Sequence, residues 1–589
     1  MHDRKSVAAV LEEMGTLLEI QGALAFKARA FHRASRSVEG ITADLRTLAR
    51  EGRLRELAGV GEGIARVITE LLLEGRSREH EELRAALPPG VLEMLRIPGL
   101  GPRKVAALHR ELRIGTLEDL EEAALSHRLA RLKGFGEKTE RNILEGIGLL
   151  RKRKDRYLYA EAAATAGSVH AFLMEQPGVV RADLAGSLRR SWETVGDIDV
   201  VVSVEGRHRA RLVRQLLSHP EVASVLAGGT TRVRCRLHSG IQCDVRFVRE
   251  EEHPFALNYF TGSKEHNLEL WSLARSLGFS LNEYGLRRAS GSSGKSRQAG
   301  PPVCESEADL YRVLGLDYIP PELREHMGEV EAARHHRLPR LVEWSDIRGT
   351  FHCHTTWSDG LHSVEEMALA ARALGWEYLG IADHSRAASY AGGLSEERLR
   401  EQGGEIERVN RAMPGFRVFR GTECDILPDG SLDWPERVRA GLDFVVVSVH
   451  SGFRMSEAAM TRRIITALGQ KHVTMLGHPT GRLLLEREGY PVDVRAVIDA
   501  AAEYGRMIEI NAHPTRLDLD WRWCGYAREK GVLLAINPDA HTTAGLADVR
   551  LGVGVARKGW LEKVHILNTQ GAEGAAGLLR RAAEGSRGG

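Results

Sequence analysis

Over the first 150 residues apolar positions recur every three or four residues between short glycine-containing breaks, in segments rich in Leu, Ala, Arg and Glu. That spacing predicts amphipathic helices. From about residue 157 the period shortens, and alternating apolar strands are predicted at 196–204, 231–237 and 241–248, joined by helical segments such as RHRARLVRQLLSH. Beyond 346, short apolar runs alternate with amphipathic helices at regular intervals, which predicts repeated βα units. Two stretches break the pattern. RRASGSSGKSRQAGPP (287–302) reads as a flexible loop, and LDYIPPELREHMGEVEAARHHRLPRLVEWSD as a polar, proline-punctuated connector between domains. The last fifteen or so residues, rich in Gly, Ala and Arg, are expected to fray.

Length and charge change this picture little. A chain of 589 residues exceeds what one core fills, so several domains are expected. Lys+Arg 82 against Asp+Glu 80 leaves almost no net charge, so the placement of basic residues matters more than their total; the clearest basic run is LLRKRKDR, 149–156. Six scattered cysteines without a C-x-x-C pair fit a reducing compartment, and a cytoplasmic location is expected. The opening MHDRKSVAAVLEEMG has no apolar signal core, and no window approaches eighteen apolar residues, so no membrane association is expected.

One motif repeats in the helical part: LAGVGEGIARVI (57–68), LRIPGLGPRKVAAL (95–108) and LKGFGEKTERNI (132–143). In each, two glycines (Gly59 and Gly61, Gly99 and Gly101, Gly134 and Gly136) precede a helix whose first N–H groups are free to receive a phosphate oxygen. A single copy would read as a helix cap. Three copies with Arg66, Arg103, Lys104 and Lys138 nearby read as phosphate docking. The turns resemble helix-hairpin-helix motifs, which grip nucleic-acid backbones without reading sequence.

Inside the strand pattern, VGDIDVVV (195–202) places Asp197 and Asp199 on one face, about 6–7 Å apart. Taken alone, such a pair fits a solvated edge strand. Its neighbours point elsewhere. Upstream, LAGSLRRSWET offers Gly186, Ser187, Arg189 and Arg190 to a triphosphate, and downstream IQCDVRFV sets Asp244 among alternating apolar residues. Three acids suit two divalent ions about 4 Å apart, which activate a 3′-hydroxyl and stabilise leaving pyrophosphate. G-S-x-R-R, G-D-I-D-V-V, C-D-V-R and YFTGSKEHN (259–267) together resemble the nucleotidyltransferase palm and thumb of family X DNA polymerases, the group of DNA polymerase beta, over roughly 1–320. The resemblance implies that Gly186, Ser187 and Arg190 bind the triphosphate and that Asp197, Asp199 and Asp244 hold two Mg2+ or Mn2+ ions. It also implies that Tyr259, Phe260 and Gly262 flank the nucleotide sugar, with Asn267 near the base. In that family a lysine after the first G-V-G turn serves a lyase; here Val67 stands at that position beside Arg66, and a guanidinium is no amine nucleophile, so no lyase of that type is expected.

The carboxy-terminal half carries a denser pattern. At or after its apolar runs stand His352, His354 and Asp359 (GTFHCHTTWSDG), His384 (GIADHS), Glu423 (RGTECDIL), His450 (VVVSVHSG), His478 (TMLGHP), and Asp539 with His541 (AINPDAH). In a βα barrel such strand-end residues converge on one mouth. Thiolate-free ligands of this kind suit zinc, manganese or iron, and nine suffice for up to three ions, a constellation for metal-assisted phosphoester hydrolysis. The stretch 346–575 resembles the PHP (polymerase and histidinol phosphatase) family of metal-dependent phosphoesterases, built on a distorted seven-stranded βα barrel. GHPTGR and EINAHPTRLDL match it too, with Arg482 and Arg516 as candidates for phosphate contact.

A family X polymerase joined to a PHP domain is similar to the bacterial and archaeal family X polymerases of DNA repair. The resemblance implies gap filling on gapped or primer-template DNA with dNTPs, and a Mn2+- or Zn2+-dependent 3′-5′ exonuclease, with 3′-phosphatase and abasic-site endonuclease activities also ascribed to such PHP parts. The expected fold is multidomain α and α/β. Its parts are a helical DNA-binding domain (1–85), helix-hairpin-helix fingers (86–150), palm (151–255), thumb (256–320), linker (321–345) and PHP barrel (346–575), in a monomer. The alternative is a PHP phosphoesterase whose front half only binds DNA and polymerises weakly; three intact palm acids weigh against it.

Overall fold

A computed structural model of the chain describes residues 4–585 apart from 23–24, 40–44, 58, 74, 96, 98, 133, 154 and 289–302. Most of the Gly/Ser/Lys stretch at 287–302 therefore lies outside the described residues. Two compact units are formed, 1–154 and 155–589.

The first unit is helical, as the 3.6-residue period predicts. Its amino-terminal helix, Arg4–Ile20, serves two cores: Val7, Leu11 and Met14 pack with Ile64, Val67 and Ile68, whereas Leu17 and Ile20 pack with Val91, Leu108 and Ile143. The expected boundary at residue 85 is thus bridged by one helix whose successive turns face different partners. Val67 is fully buried in the first core. Its position is one of packing.

The second unit begins with a five-stranded palm sheet made of β1 (Val179–Leu184), β2 (Asp197–Val204), β3 (Val222–Gly228), β4 (Arg232–Leu237) and β5 (Gln242–Val248). Their spatial order is β1-β2-β5-β4-β3, with β2 and β5 parallel and the other pairs antiparallel. Ile198, Val200, Val202, Cys243 and Val245 fill one side of this sheet. The acids are left to the other.

Residues 321–345, expected to be a linker, are instead built into the fold. Leu323, Val330, Ala333 and Leu341 join the thumb core, and Val342 joins the barrel core. The stretch reads as polar because its buried members include charges that are paired inside: Arg324 donates to Glu307 at 2.7 Å, and Glu329 lies 2.7 Å from His266 Nδ1. Pairing removes most of the cost of burying a charge.

The remainder is a parallel barrel of seven strands in sequential order: β6 (Gly349–Cys353), β7 (Tyr378–Ile381), β8 (Arg417–Asp425), β9 (Phe444–Ser448), β10 (Met475–Leu476), β11 (Met507–Asn511) and β12 (Leu534–Asn537). A bridge from Cys353 to Ala540 brings β6 and β12 together and nearly closes it. Helices cover the outside, so most strand residues are buried on both faces, as parallel strands require. Phe351, Tyr378, Phe419 and Phe444 pack the interior, and Gly421 is needed there because a Cβ would stand 2.3 Å from the Phe444 ring. The carboxy-terminal residues up to 585 do not fray as composition suggested; 586–589 lie outside the described residues. Helix Ala572–Glu584 places Ala575, Leu579 and Ala582 against this aromatic layer.

Candidate active sites

On β2, Ile198 points into the palm core, so Asp197 and Asp199 both emerge on the open face. Parallel pairing sets Asp199 directly beside Asp244 of β5. The carboxylate of Asp199 also lies against Gly186, which has φ +63° and where a Cβ would sit 2.3 Å from Oδ2. No side chain could stand there. Burial, then the negative charges of Asp197 and Asp244, push Asp199 up to about 7; burial and Asp244 raise Asp197 as well. Three acids in this state suit divalent cations, which would relieve the repulsion.

The surroundings of Asp244 differ from expectation. Arg232 grips it through Nε at 2.8 and 3.0 Å, and the Nε atoms of Arg234 and Arg246 each lie 3.5 Å away. The signal was present in RVRCRL, whose period-two arginines on β4 face the acid across the sheet. A metal bound by Asp244 must share it with this fork.

Protons compete for the same site. A carboxyl raised to about 7 is protonated below that pH and is no ligand until the proton leaves. Divalent-cation binding at the palm acids is therefore expected to be about tenfold weaker near pH 6 than near pH 8. A Mg2+ binding titration at both values measures it, and an equal affinity would contradict the raised carboxyl.

The expected nucleotide-binding residues gather beside these acids. Ser187 is the second residue of the short helix Gly186–Arg189, and Arg190 donates from Nε to Glu325 at 3.0 Å and from Nη1 to the Thr261 carbonyl at 2.5 Å. Tyr259 and Phe260 end the helix His253–Thr261, their ring centroids 5.0 Å apart, with Tyr259 stacked on Trp271. The Arg246 guanidinium lies 4.7 Å from the Phe260 ring and so joins the aromatic pair to Asp244. Gly262 has φ +69°, and a Cβ there would be 3.2 Å from Arg190 Nη1. Asn267 donates to the Tyr259 carbonyl at 2.8 Å, while its buried Oδ1 has no partner. That oxygen is free to accept from a ligand.

At the barrel mouth all nine expected residues converge. Four overlapping sets have donor atoms within 4.8 Å of one another: His354, Asp359, His384 and His541; His352, His354 and Asp539; His352, Glu423 and His478; His384, Glu423 and His450. His352 and Glu423 lie within β6 and β8, and the others just beyond strand ends. His352, His478 and Asp539 adopt φ +56°, +22° and +52°, a left-handed backbone that costs non-glycine residues about 1–3 kcal/mol each and is characteristic of functional sites. Buried ring nitrogens of His352, His354, His384 and His478 have no hydrogen-bond partner. Orphaned imidazole nitrogens facing carboxylates are the donor set a metal cluster needs.

Electrostatics splits these imidazoles. Burial, helped by His541 and His384, holds His354 down at about 3, the neutral form that ligates. Burial also opposes charge on His450 and His541, but Glu423 and Asp425 lift the former to about 10, and Asp359 and Asp539 lift the latter to about 9.

A surrounding shell was missed at the level of sequence. Glu509 on β11, fully buried, accepts from His352 Nδ1 at 2.6 Å and from the His478 N–H at 3.0 Å; Asp425 accepts from His450 Nδ1 at 2.5 Å. The two ring contacts fix the imidazoles of His352 and His450 and leave their Nε2 atoms facing inward, while the third holds the His478 backbone. Asp383 holds the Thr355 N–H at 2.8 Å and so pins the loop between His354 and Asp359. The signal for Glu509 is an acid at the centre of the all-buried strand MIEIN.

Arg516 is at the mouth, its Nε 3.4 Å from Asp539. Arg482, paired with it as a phosphate candidate, is committed elsewhere. Its guanidinium donates to Asp520 at 2.7 Å and to the carbonyls of Arg516 and Leu517, so it shapes the Arg516 loop. In the helical unit, Gly59, Gly99 and Gly134 have φ +82°, +84° and +91°, whereas Gly61, Gly101 and Gly136 do not need a left-handed backbone. Only the first glycine makes each turn; nothing lies within 4 Å of a Cβ at the second, so the following helix start is open. Lys104 caps its own turn through the Gly99 carbonyl at 3.1 Å.

Comparison with known proteins agrees with this layout. Residues 2–77 match a helix-hairpin-helix domain, 91–148 a SAM-like helix-hairpin-helix tandem, 256–325 the DNA polymerase beta thumb and 350–513 the PHP domain. A protein of Bacillus subtilis named DNA polymerase/3′-5′ exonuclease PolX is 38% identical over 583 residues, covering 99% of this chain and 100% of the relative. A protein of Acetivibrio thermocellus named Probable phosphatase is 31% identical over 199 residues, 32% of this chain and 78% of the relative. The shorter similarity is confined to a third of the chain, whereas the longer one spans helical unit, palm, thumb and barrel together: the chain belongs to the PolX family of DNA polymerases that carry a PHP domain.

Proposed function

We propose that this chain is a cytoplasmic DNA repair enzyme that fills short gaps at the palm and trims 3′ ends at the barrel mouth. The observation that carries it is the coexistence, in one chain, of three palm acids and nine converging barrel residues. Mg2+ or Mn2+ at the palm and Mn2+ or Zn2+ at the barrel would supply charge neutralisation and an activated oxygen nucleophile.

The rest falls to the protein's own groups. Asp197, Asp199 and Asp244 would hold the cations that join a primer 3′-hydroxyl to an incoming dNTP. Ser187 and Arg190 take the triphosphate, once Arg190 leaves Glu325. Tyr259 and Phe260 present a ring face to the sugar, and the unpaired Asn267 Oδ1 points to a base donor. At the barrel, Arg516 binds the phosphate to be cleaved, and the same centre supports 3′-phosphatase and abasic-site endonuclease chemistry. The Gly59, Gly99 and Gly134 turns receive phosphates of gapped DNA at the open helix starts.

A gapped DNA with a 5′-labelled primer, incubated with Mn2+, tests the reading. Extension with dNTPs and shortening without them are expected. Failure of either reaction overturns the corresponding half.

A further inference from the structure

The last turn of the barrel helix Val549–Lys558 lies against the end of the thumb and the nucleotide turn of the palm. Lys558 is completely buried there, its ammonium between the rings of Trp192 and Trp521, 5.0 and 4.7 Å from their centroids. It donates to the Arg190 carbonyl at 3.0 Å and to Glu325 Oε1. That same oxygen accepts from Arg190 Nε at 3.0 Å and from Trp192 Nε1. Arg557, one residue earlier, holds Glu322 at 2.7 Å. A single carboxylate oxygen of the thumb is thus shared by a palm arginine and a barrel lysine.

Sharing has a consequence for Arg190. To take a triphosphate its guanidinium must loosen its hold on Glu325, whose side chain is 9% exposed, and a buried carboxylate left without a cation is costly. Lys558 remains as that cation. We infer that Lys558 of the PHP barrel is a positioning residue for nucleotide binding at the palm: by neutralising Glu325 it frees Arg190 for the triphosphate. The inference rests on the reading of Arg190 as the triphosphate arginine. It gives the barrel a part in polymerisation separate from its own metal centre.

Steady-state extension of a gapped substrate by full-length variants separates the possibilities. In Lys558→Met, Arg190 is left as the cation paired with Glu325 among the described residues, and the KM for dNTP is expected to rise about tenfold with kcat changed less than about twofold. Trimming of 3′ ends at the barrel is expected to keep its rate. Adding Glu325→Gln removes the competing charge and is expected to bring KM back to within about threefold of the parent. An unchanged KM in Lys558→Met overturns the inference, as does a double variant no better than the single. Loss of both activities with a lowered Tm, worsening in the double variant, overturns it by making Lys558 a packing residue. Arg190→Ala reports on the underlying reading: if its dNTP KM is that of the parent, Arg190 is not the triphosphate arginine and the inference falls with it. A raised KM in Arg190→Ala alongside a normal one in Lys558→Met sinks the Lys558 inference alone.

Discussion

Replacing Asp197 and Asp199 together by Asn is expected to lower primer extension by about 10^4-fold or more while 3′ trimming of single-stranded DNA continues at the parental rate. The substitution keeps the shape of the strand. Asn is nearly isosteric, Ile198 and Val200 still anchor β2 in the palm core, and the Ala185 N–H still donates to the residue 199 carbonyl at 2.8 Å. What is lost is two of the three charges that would hold cations, with Asp244 left to Arg232. Stability moves the other way. Asp199 is raised to about 7 because it is buried beside like charges, so the doubly substituted protein is expected to melt no lower than the parent in metal-free buffer. Extension assays, trimming assays and a melting curve on one preparation measure all three. If trimming disappears with extension while Tm holds, the palm and barrel do not act as two separate sites.

How much was legible in the sequence depends on where each residue's partner lies. The nine barrel residues could be read because a strand end fixes where a side chain goes, and seven strands repeat that geometry around one mouth. The palm acids could be read because a strand puts every second residue on one face. Glu509 stood out only as an acid within a buried strand, and neither its role nor that of Asp425 could be read, since both come from imidazoles far away in the chain, His352 and His450. Arg482 misled for the same reason: the match of GHPTGR to the PHP family suggested phosphate, but Asp520 and two carbonyls hold it. Residues 321–345 looked like a linker because composition counts charges without knowing that Arg324 and Glu329 are paired inside the thumb. The carboxy-terminal helix was misread although Ala575, Leu579 and Ala582 carry helical spacing, because the flanking glycines and arginines dominate its composition.

The barrel centre gives the converse result. His352→Ala is expected to lower 3′ trimming by about 10^3-fold and to reduce the metal content of the protein, leaving gap filling with Mg2+ near the parental rate. His352 carries more than one ligand's share, since it belongs to two of the four donor sets and lies 3.2 Å from Glu423, which His384, His450 and His478 also approach at 2.9, 3.2 and 3.0 Å. Its other ring nitrogen is fixed by Glu509. Removing the imidazole therefore leaves Glu509 as a buried carboxylate without its nearest donor and leaves Glu423 and Asp539 with one imidazole fewer. Glu509→Gln, which keeps a hydrogen-bonding group but no charge, is expected to cost only about 10- to 100-fold, because it loosens the orientation of His352 without deleting a ligand. Metal content measured by elemental analysis distinguishes the two: fewer ions in His352→Ala, and the parental number held less tightly against a chelator in Glu509→Gln. Full metal content and full trimming in His352→Ala would remove this residue from the centre, and equal losses in both variants would mean that Glu509 itself binds an ion.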